Sequence, residues 1–257
     1  MGTSSSYKGS TSKVSRVLRD GVSDWAGSQD GGTPTALPES VIAQALKIPV
    51  FPRSSGGGGG GGGAGGGGAG GGGTPRSGKQ SSPRRDARAY ASTASRVAGL
   101  ARAFREGDRA ALEKAGLDFD KLSSMSTRSE MVRAILDVVL EAQTSSDIPT
   151  EEQRDMAGAL LDWMLDTDQN PELPDAAATS EHAIGLIVAE IFLSESGEFT
   201  SRDGLTREQF IDSVYDASQQ LASRANMSDH GASQGSIDKA IESGLRMLRR
   251  LYPGSSS

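Results

Sequence analysis

The amino-acid sequence predicts an all-α fold: an irregular helical bundle preceded by a Gly/Ser-rich N-terminal arm that is disordered on its own. Three observations predict it. From Asp86 to Tyr252, apolar residues recur every three to four positions, the spacing of one helix face. No segment of useful length alternates with the period of two that a half-buried strand requires. Aromatic residues are only 5% of the chain, so a core must rest on Leu, Ile, Val, Ala and Met, which helices use well.

Residues 1–12 are almost entirely Gly, Ser, Thr and Lys around a single Tyr7. They carry too little apolar surface to offset the entropy of ordering, so they are expected to be a disordered tail. Residues 13–52 are expected to hold short docking helices. Val14, Val17, Leu18, Val22 and Trp25 follow helical spacing, although Gly21 weakens the helix. This segment is expected to fold only when packed on something. A second short helix is predicted over 38–46, with Pro38 at its first turn and Val41, Ile42, Ala45 and Leu46 on one side. Pro49 and Pro52 then end it.

Residues 53–85 read as a flexible linker. The run from Gly56 to Gly73 contains 16 Gly and no side chain larger than Ala. A flexible chain of this length has a root-mean-square reach of roughly 30 Å, enough for the N-terminus to search a large volume. Residues 86–252 are predicted to form the helical domain, with five or six amphipathic helices, and 253–257 a disordered C-terminus. Within the domain, Thr127 with Glu130, Thr150 with Gln153 and Thr206 with Gln209 carry the spacing of helix-capping boxes.

The chain has no Cys, which excludes disulfides, thiolate metal sites and cysteine nucleophiles. No stretch reads as a membrane span or as a secretory signal, so a cytoplasmic location and no membrane partner are expected. The net charge of −6 is unevenly spread. Residues 1–107 hold 14 Lys/Arg and 6 Asp/Glu, whereas the remainder holds 13 and 27. This arm could meet an acidic partner or nucleic acid, or both surfaces could simply be solvated. The basic residues are scattered and not interleaved with aromatics, so direct nucleic-acid binding is not expected.

Several catalytic patterns fail on their context. Gly73 to Lys79 matches GxxxxGK, but Gln80 stands where the magnesium-binding hydroxyl belongs and no strand precedes it. Gly231-Ala-Ser233-Gln-Gly235 matches GxSxG beside His230, but its flanks are helical and the nucleophile elbow needs a strand. Ser233 is better read as a helix cap in a polar loop. Asp166-Thr-Asp168-Gln-Asn170 opens like a calcium loop, but Pro171 replaces the required Gly and Ala177 the bidentate Glu. A turn is the better reading. His182 and His230 are too few for a metal cluster, and His182, near a helix start, is expected at the surface or as a cap. No catalytic residue, metal or cofactor is predicted.

One chemical reading survives, at the start of the chain. A small residue follows Met1, so its removal is expected to expose the α-amine of Gly2. With a pKa near 8, a useful fraction of that amine is neutral and nucleophilic at cytosolic pH. Thr3, Ser4, Ser5 and Ser6 are small and could thread a narrow active site. The same tail also matches an N-myristoylation pattern through Ser6, with Lys8, Lys13, Arg16 and Arg19 as a basic second signal. An ordinary disordered start is the plain alternative.

The opening Met1-Gly2-Thr3-Ser4-Ser5-Ser6-Tyr7-Lys8-Gly9, the Gly-rich spacer and the Ala/Arg-rich helical domain beginning near Arg85–Arg105 together resemble the QatB family. That family is the small B component of the bacterial Qat antiphage defence system. The resemblance implies a non-enzymatic partner in a complex with an ATPase, a QueC-like enzyme and a TatD-like nuclease. It further implies that the QueC-like enzyme joins a deazaguanine to an N-terminal glycine. Carried onto this sequence, the acceptor is Gly2, and Thr3, Ser4, Ser5, Ser6 and Tyr7 form the recognition tail. A structural or regulatory adaptor, whose arm only tethers, is the alternative.

Overall fold

A computed structural model describes residues 12–29, 35–48, 87–141, 151–197, 205–228 and 232–253. Ten α-helices and no β-strand form among them: α1 (Lys13–Gly27), α2 (Glu39–Ile42), α3 (Ala87–Glu106), α4 (Arg109–Lys114), α5 (Phe119–Ser123), α6 (Arg128–Glu141), α7 (Glu151–Leu165), α8 (Ala176–Ser196), α9 (Arg207–Ser223) and α10 (Ile237–Leu251). Short 3₁₀ turns cover Ala45–Lys47 and Gln234–Ser236. The fold class is all-α, as the periodicity predicts. Over 87–252 the long helices are six, matching expectation. The additional α5 is a single turn, too short for periodicity to reveal.

Local capping chemistry sets most helix starts. Thr206 and Gln209 make a complete capping box, the Thr206 side chain accepting from the Gln209 N–H and the Gln209 side chain accepting from the Thr206 N–H. The side chains of Ser12, Asp108, Asp118 and Asp175 each accept from the N–H three residues on. At α6 the box is shifted. Thr127 Oγ1 accepts from the Glu130 N–H (3.2 Å), but the Glu130 carboxylate reaches Ser126, accepting from its N–H (3.1 Å) and hydroxyl (2.9 Å). Thr150 lies outside the described residues; Gln153 is buried and donates across to Thr93 of α3 (2.6 Å).

The core forms around α8. Ile184, Ile187, Val188, Ile191 and Phe192 are at most 3% exposed, and so are Ala183 and Ala189 on other sides of the same helix. One of the helices expected to be amphipathic is not: α8 is covered nearly all round, as a helix apolar on every side must be. Helices α7, α9 and α10 pack against it along its length, and α1 and the Ala45–Lys47 turn close the rest. Among the described residues, α8 is also the one helix long and apolar enough to cross a membrane, but 78% of its most apolar window is buried inside the fold.

Glycines mark several close crossings. A Cβ on Gly244 of α10 would lie 2.5 Å from Ile184 Cδ1, and one on Gly21 of α1 would lie 3.2 Å from Val41 Cγ1. Gly21 thus weakens α1 locally but admits α2 against it.

The helices of 13–48 dock on the chain's own bundle, and Leu18, Val22, Trp25, Leu37, Ile42 and Leu46 join the single buried core. Ile48 and Ala87, the described residues on either side of the Gly-rich segment, are both buried in this one core. The tail 1–11 and the whole of the linker 53–85 lie outside the described residues.

Leu18 is fully buried, so Leu18→Ala is expected to lower the unfolding free energy by about 2–5 kcal/mol. Urea titration followed by circular dichroism measures this. A change below about 0.5 kcal/mol would mean that α1 is not part of the core.

Candidate functional site

The sequence-based candidates Gly2, Thr3, Ser4, Ser5, Ser6 and Tyr7 lie outside the described residues, as do the GxxxxGK match and His230. What the structure does supply is the point at which the tail joins the body. Ser12 caps α1, accepting from the Ser15 N–H (3.1 Å), and the Ser15 hydroxyl donates to Oε2 of Glu195 near the end of α8 (2.6 Å). Ser15 and Glu195 are each 1% exposed. Arg19 donates to the Glu195 carbonyl (3.3 Å). A hydrogen bond to a buried carboxylate is among the stronger kinds, so the chain is pinned ten residues after Gly2.

The rest of the N-terminal element is tied as specifically. Trp25 donates through its indole to the Thr35 carbonyl (3.1 Å) and packs its ring 6.2 Å from that of Phe210. Gln29 closes the same loop, accepting from the Thr35 N–H (2.8 Å) and donating to the Trp25 carbonyl (2.9 Å). Glu39 accepts from the Tyr252 hydroxyl and pairs with Arg224 at 3.5 Å.

Two titratable groups take up surroundings that the sequence did not announce. Glu190, 6% exposed on α8, accepts from the Tyr215 hydroxyl of α9. Burial pushes its carboxyl up to about 7, and Asp155 and Glu152 of α7 add to the rise while the Tyr215 bond opposes it. Tyr90 donates to Glu152 (3.4 Å), which completes a cluster of carboxyls and phenols shared by α3, α7, α8 and α9. The available signal was a lone carboxylate inside the apolar run Ile187-Val-Ala-Glu190-Ile-Phe192. His182 is the other group. It does not cap a helix at the surface, contrary to expectation. Its ring stacks on Trp163 of α7, with centroids 3.9 Å apart and planes 14° from parallel. Burial lowers its pKa to about 4, so the imidazole is neutral at physiological pH.

The rejected motifs take up structural roles. Asp166 is 5% exposed and organises the turn after α7, accepting from the N–H groups of Asp168 (3.0 Å) and Gln169 (3.1 Å) and pairing with Arg128 (2.9 Å). The Gln169 N–H foremost, then that of Asp168 and the Arg128 guanidinium, hold its carboxyl below the usual range. Its oxygens are thus engaged in a turn, as predicted, and the Asn170 side chain donates to the Trp163 carbonyl (2.8 Å). Ser233 is exposed and opens a 3₁₀ turn, but its hydroxyl pairs with that of Ser236 (2.7 Å) and makes no cap bond. Between α6 and α7 an open groove of about 280 Å³ is lined by Val132, Leu136 and Leu140, with Arg133, Asp137 and Arg154 beside them. Among the described residues no group of three or more His, Asp or Glu is placed to hold a metal ion.

No family model matches the chain, and no curated protein or solved structure matches it.

The two buried groups impose opposite pH dependences. Glu190 keeps its proton to about pH 7 when folded and to about 4.5 when unfolded, so its contribution falls as pH rises through that window. His182 takes a proton at 6.5 unfolded but only near 4 folded, so its contribution falls as pH drops through that window. Between 4.5 and 6.5 the slopes, each about 1.4 kcal/mol per pH unit at most, oppose each other. Wild-type stability is therefore expected to vary little there. Glu190→Gln, which retains an acceptor for Tyr215, should unmask a stability that rises with pH. His182→Phe, which retains the stack, should unmask one that falls. Urea midpoints at pH 4.5, 5.5, 6.5 and 8 test this; parallel profiles for all three proteins would refute the assignment.

Proposed function

We propose that the chain is a non-enzymatic component of a bacterial antiphage defence complex, and that its Gly2 amine is the substrate of a QueC-like partner that conjugates a deazaguanine to it. The reading rests on the opening Met1-Gly2-Thr3-Ser4-Ser5-Ser6-Tyr7, an unhindered amine followed by small residues. It is supported by the anchor at Ser12 and Ser15, which holds the chain against α8 just after that tail. Ten residues span at most about 35 Å when extended. The modifying active site therefore has to come within that distance of the α1 N-terminus, and the Gly-rich segment does not set the reach. In the chemistry this implies, the partner activates a deazapurine carboxylate as its adenylate. The neutral Gly2 amine attacks the acyl carbon, an amide bond forms, AMP leaves and the amine proton passes to a base. Thr3, Ser4, Ser5, Ser6 and Tyr7 supply the peptide that the partner reads. The helical body offers the surface for the ATPase and the TatD-like nuclease.

A second reading, a structural or regulatory helical adaptor, is favoured by one observation: residues 13–48 are built into the core, so part of the arm serves the fold itself. Deletion of residues 2–9 separates the two, since a pure adaptor keeps its function without them.

Co-expression with the QueC-like, ATPase and TatD-like partners, followed by intact mass and peptide fragmentation, is the direct test. A deazaguanine adduct on the Gly2 nitrogen is expected, and Gly2→Leu, which favours retention of Met1, should abolish it. An unmodified Gly2 with every partner present and active refutes the reading. An acyl adduct would instead identify a lipid-anchored protein.

A further inference from the structure

We propose that residues 13–48 are a separable docking element, and that the groove they fill on α8, α9 and α10 accepts the same element from a second copy of this chain. The inference is independent of what happens at Gly2.

The element meets the bundle as a partner would. Leu18, Val22 and Trp25 of α1 and Leu37, Ile42 and Leu46 beyond it are each buried at 7% exposure or less. These side chains close the faces of α8, α9 and α10 that the remaining helices leave open. Polar bonds set the register at both ends of the element: Ser15 to Glu195 at one, and Glu39 to Tyr252 and Arg224 at the other. An apolar centre with specific polar bonds at its margin is the anatomy of a protein–protein interface.

Covalent connection to the bundle adds little beyond proximity. The 38 residues between Ile48 and Ala87 include 16 Gly in the 18 positions from Gly56 to Gly73. Fully extended, that length spans about 130 Å, against roughly 40 Å for the diameter of a body of this size. It therefore suffices to join the element to its own bundle or to a neighbouring one. Docking in cis is favoured only by effective concentration, of the order of millimolar for such connections. Exchange of an identical element between copies conserves every contact of the interface.

The test uses the full-length chain with a specific protease site placed within Gly56–Gly73 and cut after purification. The two fragments are expected to co-elute at the mass of the uncut protein. The cut protein, unfolded and refolded with an excess of fluorescently labelled residues 12–48, should incorporate the label saturably. A labelled element carrying Leu18→Ala and Trp25→Ala should incorporate at least ten-fold less. Uncut protein should take up the label at least 100-fold less well at micromolar concentration, because its own element competes at the effective concentration given above. Separation of the fragments on cutting, with the large fragment still folded, overturns the proposal. So does a cut protein that refolds but never incorporates the label.

Discussion

A helix that is apolar on all sides has to be covered on all sides, and α8 imposes that demand on the whole molecule. Ile184, Ile187, Val188, Ile191 and Phe192 line one side of it, and Ala183, Leu186 and Ala189 on its other sides are buried as well. Helices α7, α9 and α10 satisfy most of it, and the crossings are close enough that a Cβ on Gly244 would collide with Ile184. The remaining face falls to α1 and the turn after α2, which come from the far side of a long Gly-rich segment. The fold is thus completed from both ends of the sequence, and the order of helices along the chain does not follow their order around the core.

The carboxylates of α8 add direction to that burial. Glu181 accepts from the Met227 N–H (2.8 Å) after α9, Glu190 from the Tyr215 hydroxyl within α9, and Glu195 from the Ser15 hydroxyl on α1. Apolar packing tolerates sliding, whereas a buried carboxylate left without a donor costs several times more than a missed van der Waals contact. The bonds of the buried Glu190 and Glu195 therefore select one register for α9 and α1 against α8. The bond at Glu195 fixes where α1 meets α8. It places the start of α1, and with it the last anchored residue before the N-terminal tail, at one defined end of the core helix.

Much of the fold was legible in the sequence because it is locally encoded. The Thr206 and Gln209 capping box and the turn at Asp166 each depend on residues within a few positions of one another. Local rules fail where the partner is distant. Nothing near His182 announces Trp163, and nothing near Glu190 announces Tyr215, since each pair is formed only by the packing of one helix on another. Gln153 shows both levels at once: its spacing from Thr150 reads as a cap, while its amide donates to Thr93, 60 residues away. The candidate acceptor Gly2 is the reverse case, read entirely from the identity of the residues around it.

The sequence by itself determined that the protein is helical, where most helices start and stop, and that a glycine followed by small residues stands after Met1. These follow from backbone propensity, capping chemistry and the size of side chains, which act over a few residues. Only the tertiary structure decided that the helices within 13–48 join the core, that α8 is enclosed, and that Glu190 is buried against Tyr215 and His182 stacked on Trp163. Those features depend on which surfaces remain uncovered once the helices pack, and periodicity along a single helix carries no record of what will lie against it.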